Sequence, residues 1–304
     1  MRSTDTILQS LKLAARDAYD LPASRRRFAD GGQYRIEIPS CEGPRAMEAV
    51  VGAAREHAVT IHRVSQGSGV MLQTGDEIAR MLALGQEHGI EVCLFVGPRA
   101  NWDVGVQAAS ASGKVLGSSL RGTDQLAYGV EDVRHAAALG VRSVLVGDIG
   151  HLMVLGRMKA AGDLPPDFVL KISVTLAAAN AATARVLEDL GATSINLPVD
   201  LSLPQIAAIR QAVDAPIDFY VEAPDDFGGT VRYYEIAELV RLAAPIYLKF
   251  GLRNAPGLYP SGQHLESTVV ALSRERVRRA AIGLALLARY SPGAVASPLP
   301  ARAR

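Results

Sequence analysis

Short apolar runs alternate with longer amphipathic stretches along almost the whole chain. The short runs are YRIEIP, VTIHRVS, IEVCLFVG, VRSVLVGD, FVLKISV, TSINLPV, PIDFYVEAP and PIYLKFG. Each has strand length and is rich in Val, Ile, Phe and Tyr, the residues that fit a pleated, half-buried surface. Stretches of helical period follow them, at about 44–57, 76–88, 123–139, 151–161, 177–190, 203–213, 230–243 and 273–290. Strands alternating with helices predict βαβ units and a parallel sheet. Eight of each predicts an α/β fold of the (β/α)8 TIM-barrel type; the rival is a doubly wound open sheet, which needs no closure of strand eight on strand one. Local chemistry marks the boundaries. Thr74 with Glu77, and Ser202 with Gln205, have capping-box spacing, and Gly89, Gly140 and Gly191 stand where left-handed helix caps are expected.

The same pattern divides the chain into an N-terminal helix and linker (1–33), the barrel (34–290) and a Pro/Ala-rich tail (291–304) expected to be loose. Two connections are long for a compact domain: 98–122 after strand three and 251–272 after strand eight. Both leave the C-terminal ends of strands, where barrel enzymes keep their sites, so both are candidate lids or binding loops.

Composition narrows the function classes. With 49% hydrophobic and 21% charged residues the chain has apolar surface for one large core. Lys and Arg total 32 against 31 Asp and Glu, and this balance of +1 speaks against nucleic acid as the main partner. No apolar run is long enough to span a bilayer, and the first residues lack a signal-peptide core. Cys41 and Cys93 form no CxxC and no zinc set. The expectation is a cytoplasmic protein with a small-molecule substrate, no membrane partner and an open oligomeric state. Its cofactor is undetermined: a divalent cation fits, whereas a dinucleotide lacks its glycine fingerprint.

Strand parity selects the candidate chemistry. One face of each strand packs on helices and the other points into the barrel. The polar face then carries Glu37 on strand one, Lys171 and Ser173 on strand five, Asn196 on strand six, Tyr220 and Glu222 on strand seven, and Tyr247 and Lys249 on strand eight. Only five of the 32 basic residues are lysine, and two of those five, Lys171 and Lys249, fall inside strands. Closure would set Lys249 between Glu37 and Glu222, whose charges hold its ammonium protonated, making it a charge clamp and not an imine former. Lys171, with no evident carboxylate neighbour, keeps a Schiff-base reading open. Glu37 and Glu222 are candidate acid and base, or metal ligands together with Asp148 at the end of strand four. His62 on strand two is a candidate acid/base whose bland reading is a core histidine. Ser65, at the head of the glycine-rich SQGSG, and Arg99, Asp226, Arg253 and His264, on the mouth-side loops, are candidate substrate contacts; Trp102 and Asp103 accompany Arg99 as lid candidates. The whole polar set also has a bland reading, an ion network in the barrel core.

Strands five to seven resemble a known family. Ser173-Val-Thr, the Asn180-containing helix with its Leu-Gly191 break, the strand around Ile195-Asn-Leu-Pro-Val-Asp200 and the following Leu-Ser-Leu…Gln205-Ile turn are similar to the barrel domain of peptidase family U32. The resemblance implies a barrel and a hydrolase label; some members look like iron–sulfur proteins linked to prephenate-dependent hydroxylation. This chain departs from the pattern: VEAPDDFGG stands at 221–229 where the family has a His-Gly pair and cysteines. No family catalytic residue carries over, and two cysteines cannot supply an iron–sulfur cluster. The expected function is hydrolysis or acid/base proton transfer on a small polar or anionic substrate at the barrel mouth. The alternatives are a non-catalytic binding or accessory protein, a Schiff-base lyase using Lys171, and an RNA-modifying protein, which would need a basic stripe.

Overall fold

In a computed structural model the chain closes into a parallel barrel, β1 to β8 in sequence order with β8 hydrogen-bonded to β1. The structure describes residues 20–102, 105–110 and 114–299, with residues 3, 6 and 10 besides. The expected N-terminal helix therefore lies mostly outside the described residues, as does Asp103. The strands are β1 Tyr34–Pro39, β2 Arg63–Gln66, β3 Glu91–Phe95, β4 Ser143–Val146, β5 Val169–Ile172, β6 Ser194–Asn196, β7 Ile217–Glu222 and β8 Ile246–Phe250. The pairing of Tyr34 with Ile246 and of Glu37 with Lys249 makes the closure, so the open-sheet alternative falls. The helices are α1 Pro44–Glu56, α2 Gly75–His88, α3 Gly122–Ala138, α4 Ile149–Ala161, α5 Ala181–Asp189, α6 Leu203–Ala212, α7 Ile236–Ala243 and α8 Glu266–Tyr290.

The core is the layer between strands and helices. Ile36, Ile38, Val64, Val144, Leu170, Ile172, Ile195, Phe219, Leu248 and Phe250 are all buried there. Helix ends follow local rules. Thr74 and Glu77 close a capping box on α2, and Gly89 ends that helix at φ +66°. Gly191 (φ +113°) turns the chain from α5 into β6. The excursion after β3 contains short 3-10 turns at Ala100–Trp102 and Lys114–Ser118, with a single α-turn at Val106–Ala109 between them. The connection after β8 is shorter than its pattern predicts, because α8 begins at Glu266.

The tail is a correction. Up to Ser297 it is tied to the N-terminal end of the barrel: Ala296 bridges Tyr34, Gln33 donates to the Val295 carbonyl at 2.7 Å, and Ser297 donates to Asp30 at 2.9 Å. A Pro/Ala-rich composition did not reveal a segment that finds its partners on β1.

Candidate active site at the barrel mouth

The inward polar residues occupy two levels. The lower one is a closed ion network. Glu37, fully buried, receives Lys171 Nζ on its carboxylate, Arg63 Nη1 at 3.2 Å, Ser65 Oγ at 2.6 Å and Lys249 Nζ at 3.4 Å. Asp218, one residue pair below Tyr220 on the same face of β7, takes Arg63 Nη1 at 2.7 Å and Ser194, with Lys171 at 3.6 Å. Arg63 also reaches Glu91 at 2.8 Å and lies over the Tyr247 ring, 3.5 Å from its centroid. Burial alone would raise the Glu37 pKa, but Lys171, Lys249 and Arg63 together outweigh it and hold the carboxyl well below its usual range. Burial pushes Asp218 the other way, upward, against the same cations.

The upper level faces a cavity of about 90 Å³ at the C-terminal ends of the strands. Lys249, Ser65, Ser173 and Asn196 contribute to its floor; Arg99, Phe95, Tyr220, Phe227 and Tyr259 are among its walls. With its amide oriented to satisfy both ends, Asn196 accepts from Lys249 Nζ at 3.0 Å and donates to the Asp218 carbonyl at 3.3 Å. The Lys249 ammonium also stands 4.2 Å from the Tyr220 ring centroid. Arg99 is stacked between Phe95 and Trp102, at 3.5 and 4.1 Å, and donates to the Gly67 carbonyl. Burial lowers its pKa to about 10. Tyr259 shares a 2.5 Å hydrogen bond with Ser40, and burial keeps its phenol protonated.

The mouth thus brings together Lys249, Asn196, Ser65 and Arg99 of the residues expected there. Several others sit elsewhere. Glu222 does not flank Lys249: a register shift between Tyr220 and Glu222 turns its carboxylate out of the barrel, where it takes Tyr233 OH at 2.6 Å, the Arg253 amide at 3.0 Å and Arg279 at 3.2 Å. Lys171 is far from free of carboxylates, since Glu37 and Asp218 both hold its ammonium, which removes the ground for the Schiff-base reading. His62 lies at the opposite end of the barrel, ahead of β2; its Nδ1 accepts from the Ile36 amide at 3.0 Å and its Nε2 meets the Ser297 carbonyl at 2.8 Å. Desolvation lowers its pKa, and its role is that of a neutral core histidine. The three proposed metal ligands do not converge: Glu37 is in the lower network, Glu222 faces outward, and Asp148 caps α4 by accepting from the His151 amide at 2.9 Å. Among the described residues no other group of His, Cys, Asp and Glu forms a metal-binding cluster. Asp226 lines a neighbouring cavity, Arg253 meets Asp225 at 3.7 Å, and His264 is exposed on the turn before α8. Both cysteine thiols are buried and burial pushes them up, Cys93 to about 11.

Arg63, Asp218 and Tyr259 were not singled out by the sequence. Arg63 and Asp218 share the parity of Ser65 and Tyr220, so alternation alone places them inward; Tyr259 comes from a loop without periodicity.

A family model for Peptidase family U32 matches residues 114–223, which holds nearly all of the motif stretch read from the sequence. Against curated proteins the chain has no significant match. Among solved structures it resembles the U32 peptidase Mk0906, at 16% identity over 79% of this chain and 99% of that one, TM-score 0.45. It also resembles a truncated 3-deoxy-D-arabino-heptulosonate 7-phosphate synthase from Thermotoga maritima, at 14% identity over 90% and 95% of the two chains, TM-score 0.47. A structure assigned as a fructose-1,6-biphosphate aldolase from Coccidioides immitis superposes with TM-score 0.52 at 8% identity, covering 84% of this chain and 93% of that one, which supports the barrel fold alone. Among the described residues no helix is long and apolar enough to cross a membrane. Over residues 114–223, the stretch that builds β4 to β7, this chain is a match to Peptidase family U32.

Proposed function

We propose that the barrel mouth binds a small anionic or carbonyl-bearing substrate and acts on it by acid/base or hydrolytic chemistry, with Lys249 holding the negative oxygen. The observation that carries this reading is the position of one ammonium. Lys249 is 2% exposed, lies on the cavity floor, and among the described residues has one carboxylate within ion-pair distance, Glu37, which Lys171 and Arg63 already engage; Asp218 acts on it from further off. A desolvated cation with a shared counterion is a preorganised site for an oxyanion, and it needs little reorganisation as charge develops. Tyr220 and Tyr259, kept protonated by burial, are hydrogen-bond donors on the walls. Ser65 is a weaker nucleophile than its position suggests. Its proton points to Glu37 Oε1 at 2.6 Å, but three cations depress the basicity of that carboxylate. Polarisation of a carbonyl by Lys249 therefore fits better than attack by Ser65.

One observation favours a second reading, binding without turnover: among the described residues no Asp, Glu or His lines the cavity. A single series separates the two. Thermal shifts of the wild type and of Lys249→Met are measured against a panel of small carboxylates, keto acids and phosphates, and every ligand that stabilises is then followed by NMR for chemical change. Saturating ligand at ~100 Kd stabilises by about 2.7 kcal/mol, so binding is visible as a shift in melting temperature. Lys249→Met should keep the fold, because Glu37 retains Lys171 and Arg63, and should lose the shift for the ligands that the mouth holds. Conversion of a bound ligand supports the enzyme; a ligand bound unchanged supports the accessory protein. A panel in which no ligand stabilises the wild type more than Lys249→Met would remove the mouth reading.

A further inference from the structure

Beside the mouth lies a second cavity, of about 70 Å³, between the connection after β8 and the turn after β7. The two cavities share Ser40, Phe227 and Tyr259 as walls. A water's share of liquid volume is ~30 Å³, so the space exceeds that of a single water. Leu252, Pro256 and Leu258 make much of it apolar, and Arg276, from α8, is its buried cation.

Arg276 is only 3% exposed, yet it has little to hold. Its Nη1 makes one long hydrogen bond, 3.4 Å, to the Ser40 carbonyl, and its Nε has no partner. No carboxylate lies within ion-pair distance of it among the described residues; Glu42 acts on it electrostatically from further off. Arg210 shows what a structural buried arginine does in the same molecule. It too leaves Nε unpaired, but its two other nitrogens bond the Ala215 carbonyl at 2.9 Å and the Val213 carbonyl, fastening the end of α6. An unpaired buried guanidinium costs stability that an apolar side chain of similar size would not. The two acids at this cavity do not supply the missing charge. Asp225 is committed to the Asn254 amide at 2.5 Å and to Arg253, and Asp226 is exposed at the rim, where solvent screens it.

We infer that the Arg276 cavity is an oxoanion subsite, which takes the phosphate or carboxylate end of a ligand on the guanidinium beneath Tyr259. A planar guanidinium suits either group, because both present paired oxygens. The site is distinct from Lys249, so it stands whether or not the mouth turns a substrate over.

The test reads Arg276 directly. The side-chain Nε–H resonances of the arginine-labelled full chain are recorded by NMR during titration with inorganic phosphate, and separately with acetate. Arg276 is assigned by the signal lost in Arg276→Lys. The expected result is a saturable shift of that signal, in the wild type and equally in Lys249→Met. Response to phosphate with silence to acetate assigns the group as phosphate, and the reverse assigns carboxylate. In a parallel thermal titration, Arg276→Lys should need roughly tenfold more of the same anion for the same shift, about 1.4 kcal/mol. An Arg276 signal that neither anion moves, or that moves only while Lys249 is present, would overturn the subsite. If Arg276→Lys fails to fold, Arg276→Gln supplies both the assignment and the comparison.

Discussion

His151 shows how one side chain sets a pH dependence. It stands in the first turn of α4, its ring packed against Gly97 and Gly129. Desolvation lowers its pKa from 6.5 to about 4, with Asp148 and the Gly129 backbone pulling the other way. The folded protein therefore keeps this ring neutral where the unfolded chain would protonate it. Between those two values the unfolded state binds more protons, so stability is full above pH 6.5 and falls as pH drops toward 4. A displacement of this size corresponds to roughly 3 kcal/mol across the window. Urea unfolding of wild type and His151→Gln at pH 7 and pH 5 checks it. The wild type should lose stability between the two, and the variant, though weaker at pH 7, should lose distinctly less. A variant that falls as steeply as the wild type would place the proton elsewhere.

At the scale of elements, α4 and α5 meet through backbone. A Cβ on Gly156 would stand 2.1 Å from the Leu190 carbonyl oxygen and 3.3 Å from Gly191 Cα, so the helix approaches the α5 cap more closely than any side chain allows. Helix propensity alone says that Gly156→Ala gains about 1 kcal/mol. Steric clash with backbone says it loses about 1–3 kcal/mol, as overpacking does. The sign decides, and the prediction is a loss, read as a lower urea midpoint at unchanged slope. The elements also show where alternation stops being informative. Parity put Glu222 beside Lys249 because it counts every second residue, and a single register shift after Tyr220 cancels that count. Nothing in VEAPDD marks the shift. By contrast Thr74, Gly89 and Gly191 were readable as caps, since each acts through neighbours only a few residues away.

At the scale of the molecule, eight strand–helix units implied closure, and closure implied that charges from distant strands share one interior. Which charges meet was another matter. A period of two gives the face of each strand and not the partner across the barrel, so Lys171 looked unpaired although Glu37, from the opposite side, holds it. The network joins β1 (Glu37), β2 (Arg63), β5 (Lys171), β7 (Asp218) and β8 (Lys249), and its removal should be felt by the whole barrel. Glu37→Gln leaves those buried cations short of a counter-charge, which costs about 3–5 kcal/mol at neutral pH. The pH dependence follows from the direction of the Glu37 shift. Its folded pKa lies well below the ordinary 4.5, so its stabilisation is complete above that value and is lost as pH falls through the folded pKa. The gap between wild type and Glu37→Gln should therefore be constant from pH 7 down to about 5 and narrow below 4.5. Urea unfolding over that range measures it, with Glu37→Leu/Lys171→Met as the companion. Removing both partners abolishes the uncompensated pair and should recover part of the loss. If Glu37→Gln is as stable as the wild type at pH 7, the carboxylate is not what balances the barrel's interior, and the charge on Lys249 would have to be held by something other than this network.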